Sequence, residues 1–206
     1  GSEIMSYLNQ HGFSGKYVKQ VEGDTGYSLV ILEKNGERTF LTKKGVESRY
    51  DRELLQDDIP NIKNIMVTGY YLLCDDTPEL VKSLSEIRKH CDHFLFDPGP
   101  LISEISPNAL ESVLSMADII TLNEVEAKSV DLPKDASKVI VIKKGKSGGE
   151  VLHGAEHFDY EAKVVEAVDT TGAGDSFAAG LMFGLLSGMD LRSSVSLAVE
   201  SAAMTV

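Results

Sequence analysis

From Ile62 onward the chain alternates between two rhythms, and this alternation restricts its fold more than any other feature of the sequence. Short apolar runs at Ile65-Met66-Val67, Phe94-Leu95-Phe96, Ile119-Ile120 and Val139-Ile140-Val141-Ile142 have the composition of strands. Between them, Pro78 to His90 places Leu80, Val81, Leu84 and Ile87 at helical spacing, and Pro107 to Met116 makes a second helical stretch. The run at Val139 is apolar throughout, as a strand covered on both faces would be. Strands that alternate with helices form right-handed βαβ units around a parallel sheet. The expected class is therefore α/β, a mostly parallel sheet flanked by helices. Ligands of such sheets sit beyond the carboxyl ends of the strands, so the residues closing each run are the first candidates for a site.

Upstream of Ile62 the pattern differs. Ile4, Met5 and Leu8, closed by Gly12, describe a short amphipathic helix. Tyr27 to Glu33 and Glu37 to Leu41 flank Lys34-Asn35-Gly36, and Asn-Gly is the strongest short hairpin signal. With Tyr17 to Val21 ahead of it, this predicts a small antiparallel element over residues 17–42. Near the other end, Gly188 and Asp190 mark a helix stop and a new N-cap, with a last helix over Leu191 to Val206.

The densest chemistry lies in Asp169-Thr170-Thr171-Gly172-Ala173-Gly174-Asp175, followed by Ser176-Phe177-Ala178-Ala179-Gly180. Ala162 to Val168 is expected to lead in as a strand, and Phe177, Leu181 and Leu185 to lead out as a helix. Glycines at 172 and 174 let an anion approach N–H groups that a first helical turn leaves unpaired, and the helix dipole favours negative charge there. Asp175 puts an acceptor-only side chain in the same turn. That combination suits phosphoryl transfer, with the N–H groups holding developing charge while the carboxylate takes a hydroxyl proton. An aspartate here also serves as a plain helix cap, and a glycine turn alone does not separate the two roles.

Other strand ends carry weaker signals. Asn123 and Glu126 stand at i and i+3, presenting a carbonyl and a carboxylate together, hard ligands suited to Mg²⁺ and its waters. The same residues make an ordinary helix start, with Asn123 capping and the glutamates facing the dipole. Lys143-Lys144-Gly145-Lys146-Ser147-Gly148-Gly149 offers glycines and lysines to nucleotide phosphates, or else forms a solvated hairpin turn before Glu150-Val151-Leu152. Asp97-Pro98-Gly99-Pro100 reads as a rigid turn without a ligand role.

Composition excludes several classes. A net charge of −12 argues against a nucleic-acid partner and makes any phosphate site depend on local lysine, metal or backbone N–H groups. Cys74 and Cys91 form neither a metal motif nor a disulfide framework, and His153 with His157 falls in an expected hairpin, so zinc is not expected. The longest charge-free apolar run, Ser176 to Met189, falls short of the roughly 20 residues of a membrane span. No secretory signal is visible, and a cytoplasmic protein without a membrane partner is expected.

The string D-T-T-G-A-G-D-S-F-x-x-G over residues 169–180 closely resembles the signature of ribokinase-like (PfkB-type) carbohydrate kinases, and the resemblance runs over nearly the whole chain. It implies a single ribokinase-like α/β domain over 1–206. Within it, 17–42 would be a lid-like β element that covers the sugar and mediates a homodimer. It implies ATP-dependent transfer of the γ-phosphoryl group to a hydroxyl of a sugar, with Asp175 as base and Gly172, Ala173 and Gly174 as anion hole. Asn123 would lie near the phosphates, Glu126 would organise Mg²⁺ through water, and Lys143, Gly145, Gly148 and Gly174 would meet the nucleotide. Asp169 and Thr171 match positions that hold a monovalent cation such as K⁺. The alternatives are a kinase for a nucleoside, a sugar phosphate or a vitamin-like alcohol, a non-catalytic nucleotide- or metabolite-binding relative, and a fragment that only dimerises. Where many sugar-kinase relatives carry Asn and Arg after Asp-Pro, this chain has Gly99 and Pro100. The family pattern also includes N-terminal strands with an acidic sugar-binding residue and a Gly-Gly motif, and a C-terminal strand and helix. None of these falls within the 206 residues.

Overall fold

The computed structural model describes residues 1–32, 38–166 and 169–206. These divide into two units, Gly1–Ile62 with Tyr71–His90 and Lys63–Tyr70 with Cys91–Val206.

The first unit holds α1 (Ser2–Gln10), β1 (Tyr27–Leu32), β2 (Arg38–Lys43) and α2 (Thr77–Arg88). β1 and β2 pair antiparallel from Tyr27 opposite Lys43 to Leu32 opposite Arg38. The hairpin signal Lys34-Asn35-Gly36 lies outside the described residues. Tyr17 to Val21 forms no strand, contrary to expectation. Its neighbourhood is tied by charge instead, Lys16 to Asp58 at 2.7 Å and Lys19 to Asp51 at 2.6 Å. α2 buries Leu80, Ser83, Leu84 and Ile87, while Val81, expected inward, is only half-buried. It packs on the short turns at Arg52–Leu54 and Ile59–Asn61, with Arg52 paired to Glu86 at 2.6 Å.

The second unit is built on a six-stranded sheet in the order β3 (Asn64–Thr68), β4 (His93–Asp97), β5 (Ile119–Asn123), β6 (Val139–Lys143), β7 (Gly149–His153), β8 (Glu156–Tyr160). β3 to β6 run parallel, where the alternating rhythm predicts it. β7 and β8 add antiparallel, so the sheet is mixed, and His153 and His157 fall in that hairpin. The helices are α3 (Pro107–Met116), α4 (Glu124–Lys128), α5 (Ala173–Leu186) and α6 (Leu191–Ala203). Local chemistry sets their starts: Ser106 Oγ accepts from Ala109 N–H at 3.3 Å, and Asp190 accepts from Ser193 N–H at 2.9 Å. The C-terminal end of α3 receives a cation, because buried Lys138 donates to the carbonyls of Ser115 and Ala117 at 2.8 and 2.5 Å.

Strand alternation sorts the sheet's residues by face. Leu95, Ile119, Val141 and Val151 form one buried cluster with Phe177, Ala178, Leu181 and Met182 of α5 and Val195 and Ala198 of α6. Burying a side chain of this size stabilises by about 1.5–3 kcal/mol, so this layer anchors α5 on the sheet. The strand expected at Ala162 to Val168 does not form over its described part, and Ala167 and Val168 lie outside the described residues. Val164 is 96% exposed and Lys163 pairs with Glu200, and no strand among the described residues pairs with this segment, so the β-branched Val164 and Val165 have no ladder to join.

Candidate active site

The ends of β4, β5 and β6 meet on the face that α5 covers. Asp97 lies two residues beyond Leu95, Thr121 two beyond Ile119 and Lys143 two beyond Val141, so the period of the pleat turns all three toward α5. Lys143 Nζ donates to Asp97 Oδ2 at 2.6 Å, and the Thr121 hydroxyl donates to the same oxygen at 2.7 Å. The Gly99 N–H donates to Asp97 Oδ1 at 3.2 Å. Thr121 is fully buried, and the side chains of Lys143 and Asp97 are 17% and 14% exposed.

The glycine turn stands beside this group. Gly172 is the N-cap of α5 with φ +82°, a left-handed conformation that glycine adopts without strain. Its carbonyl accepts from Ser176 N–H at 2.9 Å, and Ala173 N–H donates to the Thr170 carbonyl at 3.3 Å. Among the described residues, the N–H groups of Gly174 and Asp175 have no backbone acceptor. Gly172 N–H has none either, so the open donors are Gly172, Gly174 and Asp175, two of the expected Gly172, Ala173 and Gly174 set with Asp175 in place of Ala173. A Cβ on Gly174 would lie 3.5 Å from Lys143 Nζ, so the ammonium rests against this first helical turn. Asp175 projects from the same turn and is exposed. Asp169 Oδ1 accepts from Thr171 N–H at 2.9 Å just upstream.

Asn123 and Glu126 form a complete capping box at the start of α4. Glu126 Oε2 accepts from Asn123 N–H at 2.8 Å and Oε1 from Asn123 Nδ2 at 2.6 Å, while Asn123 Oδ1 accepts from Val125 and Glu126 N–H. Burial raises the Glu126 carboxyl above its ordinary range against the pull of the Asn123 N–H. The charge of Asp97 adds to the rise and that of Lys143 opposes it. Tyr70, just past β3, is raised by lost hydration and then by the charges of Asp175, Glu126 and Asp97. One electrostatic neighbourhood thus holds three carboxylates against one ammonium.

Of the lysine-glycine loop, Lys143 alone joins this group through the contacts described. Gly145 and Gly148 shape the β6–β7 hairpin, where Lys144 N–H donates to the Gly148 carbonyl at 2.7 Å. A Cβ on Gly148 would lie 1.9 Å from the Tyr160 carbonyl oxygen, which accounts for glycine there by close approach. Lys144 pairs with Glu150 at 2.9 Å. Glu150, His157 and Asp159 gather within 4.8 Å on the hairpin, but the two oxygens of Glu150 are already engaged by Lys144 and His157. A groove of about 380 Å³, lined by Tyr160, Arg192 and Val199 among others, shares no residue with the strand-end group. Sequence reasoning passed over Asp97, Thr121 and Tyr70. For Asp97 and Thr121 the usable signal was their parity with the core residues Leu95 and Ile119.

The family pattern described as pfkB family carbohydrate kinase matches residues 1–206. An uncharacterised sugar kinase of Escherichia coli is 29% identical over 194 residues, spanning 86% of this chain and 60% of that protein. Among solved structures, a nucleoside kinase of Burkholderia thailandensis in complex with inosine superposes with a TM-score of 0.82 at 22% identity, covering 98% of this chain and 68% of that one. Ribokinase of Thermotoga maritima gives 0.78 at 21% identity, covering 100% and 70%. These likenesses establish the ribokinase-like architecture, a mixed sheet flanked by helices with a small antiparallel sheet. The chain spans about 60% of the length of the Escherichia coli relative.

Proposed function

Because the chain belongs to the pfkB family of carbohydrate kinases, we propose that it transfers the γ-phosphoryl group of ATP to a hydroxyl of a sugar. The observation that carries this reading is the meeting of the Gly174 and Asp175 N–H groups, the Lys143 ammonium and the Asp175 carboxylate at one helix start. The acceptor hydroxyl gives its proton to Asp175 as its oxygen bonds to the γ-phosphorus, and the bond from that phosphorus to ADP breaks. Gly174 and Asp175 N–H, the α5 dipole and Lys143 Nζ meet the charge that develops on the phosphoryl oxygens. Asn123, Gly145 and Gly148 lie toward the nucleotide, with Gly172 and Ala173 shaping the turn.

Three carboxylates beside one lysine are a poor host for a bare polyphosphate, so ATP arrives with Mg²⁺, whose charge offsets that of the phosphates. Glu126 suits a hold through water: it is 4% exposed, and both of its oxygens already accept hydrogen bonds from Asn123. Asp169 and Thr171 hold a monovalent cation such as K⁺ at the glycine turn. The β1–β2 hairpin serves as a lid element and dimer surface, consistent with Tyr27, Leu29, Phe40 and Leu41, each more than half exposed. Light scattering that returned only monomer would remove the dimer from this reading. No described helix is long and apolar enough to cross a membrane, and a cytoplasmic reaction, where ATP is supplied, fits the kinase reading.

The test is acceptor-dependent ADP release with Mg-ATP and a panel of pentoses, hexoses and nucleosides, with the product identified by phosphorus NMR. The expected result is turnover with one class of acceptor. Nucleosides belong in the panel because a structure of similar fold is a nucleoside kinase. Tight nucleotide binding with no acceptor-dependent release would instead make the protein a non-catalytic relative.

A further inference from the structure

We propose that Asp97 is a positioning residue that holds the Lys143 ammonium at the α5 turn, where it meets the transferred phosphoryl group; this rests on the kinase reading above. A lysine ammonium rides on a flexible stem and has little directional preference of its own, so an unrestrained Lys143 would sample many positions. Asp97 removes that freedom. Its Oδ1 is fixed by the Gly99 N–H at 3.2 Å and its Oδ2 by the Thr121 hydroxyl at 2.7 Å, leaving Oδ2 to draw in Lys143 at 2.6 Å. The Thr121 side chain is fully buried, which ties the carboxylate to the interior of the sheet.

The geometry also leaves the ammonium usable. Asp97 takes one of its three N–H donors, so Lys143 can donate to a phosphoryl oxygen without releasing Asp97. Nζ already stands 3.5 Å from the position of a Cβ on Gly174, against the turn whose N–H groups are open. A carboxylate placed only to fasten β4 to β6 would have no need for its partner to lie against the glycine turn.

A double-mutant cycle separates positioning from fastening. Asp97→Asn keeps the shape and an acceptor oxygen, and Lys143→Met keeps the stem without its charge. Each is expected to lower kcat/KM for ATP by on the order of 10- to 100-fold, as for partners that orient a functional group. The double variant should be no worse than Lys143→Met alone, because Asp97 acts through Lys143. Thr121→Val, which removes only the buried hydroxyl, should give a smaller loss that likewise vanishes in the Lys143→Met background, and it serves if Asp97→Asn does not fold. Wild-type kinetics for Asp97→Asn, or losses that multiply in the double variant, would overturn the proposal. If no acceptor supports turnover, the kinase reading fails on its own, and the affinity of the same four proteins for a non-hydrolysable ATP analogue, measured against that for ADP, decides the positioning role by the same rule.

Discussion

Asp175→Asn is expected to lower kcat by about 10²- to 10⁴-fold, the usual worth of a positioned general base, while nucleotide affinity stays close to wild type. Asparagine keeps the size of the side chain and one acceptor oxygen but has almost no affinity for a proton. Asp175 sits exposed on the first turn of α5, clear of the Phe177 and Leu181 layer, so its substitution leaves packing untouched. Steady-state kinetics with saturating Mg-ATP, run beside a thermal melt, separates the two readings of this residue. Gly172, not Asp175, is the N-cap, so a residue that only complements the helix dipole would lose a little stability and keep its turnover. A base keeps its stability and loses turnover.

Gly184→Ala should destabilise the protein, although helix propensity alone predicts a gain of about 1 kcal/mol for this change. The gain is outweighed by contact with α6. A Cβ on Gly184 would lie 2.8 Å from Ser194 Cα and 2.9 Å from Ser194 Cβ, and the backbone of α6 cannot rotate out of the way. Overpacking of this kind costs about 1–3 kcal/mol, so the melting temperature should fall. Gly180→Ala should destabilise likewise, because even with the Ser201 hydroxyl at 2.6 Å turned aside a Cβ would lie 2.9 Å from Ala198 Cα in the backbone of α6. Since α5 carries the glycine turn, kcat should fall with stability in this pair of variants. A melting temperature at or above wild type for Gly184→Ala would show that the helices separate freely.

The sequence was most legible where physics is local. Val139 to Ile142 could only be a covered strand, Pro107 to Met116 could only be a helix, and the structure places both as expected. It was less legible where a partner is needed. Val164 and Val165 have strand composition, but the described part of their segment has no strand beside it to pair with. The Lys143 loop read as a phosphate cradle or as a hairpin turn, and only the fold reveals that Tyr160 presses against Gly148, a contact between the β6–β7 turn and β8. Asp97 looked like a turn residue because only the fold reveals that Lys143 reaches across β5 to it. Asn123 and Glu126 were visible from the start, and their capping box is compatible with both the local role and the proposed one.

The far end of α6 bears on all of this. Thr205 Oγ lies 2.7 Å from Ser176 Oγ, and a Cβ on Gly172 would sit 3.6 Å from the Thr205 methyl group. The last turn of one helix is thus buttressed against the first turn of the next one upstream. Helix ends ordinarily fray as separate events, each with its own small opening free energy. Here the two ends share a hydrogen bond and a methyl contact, so opening at the end of α6 also loosens the turn that carries the amide donors.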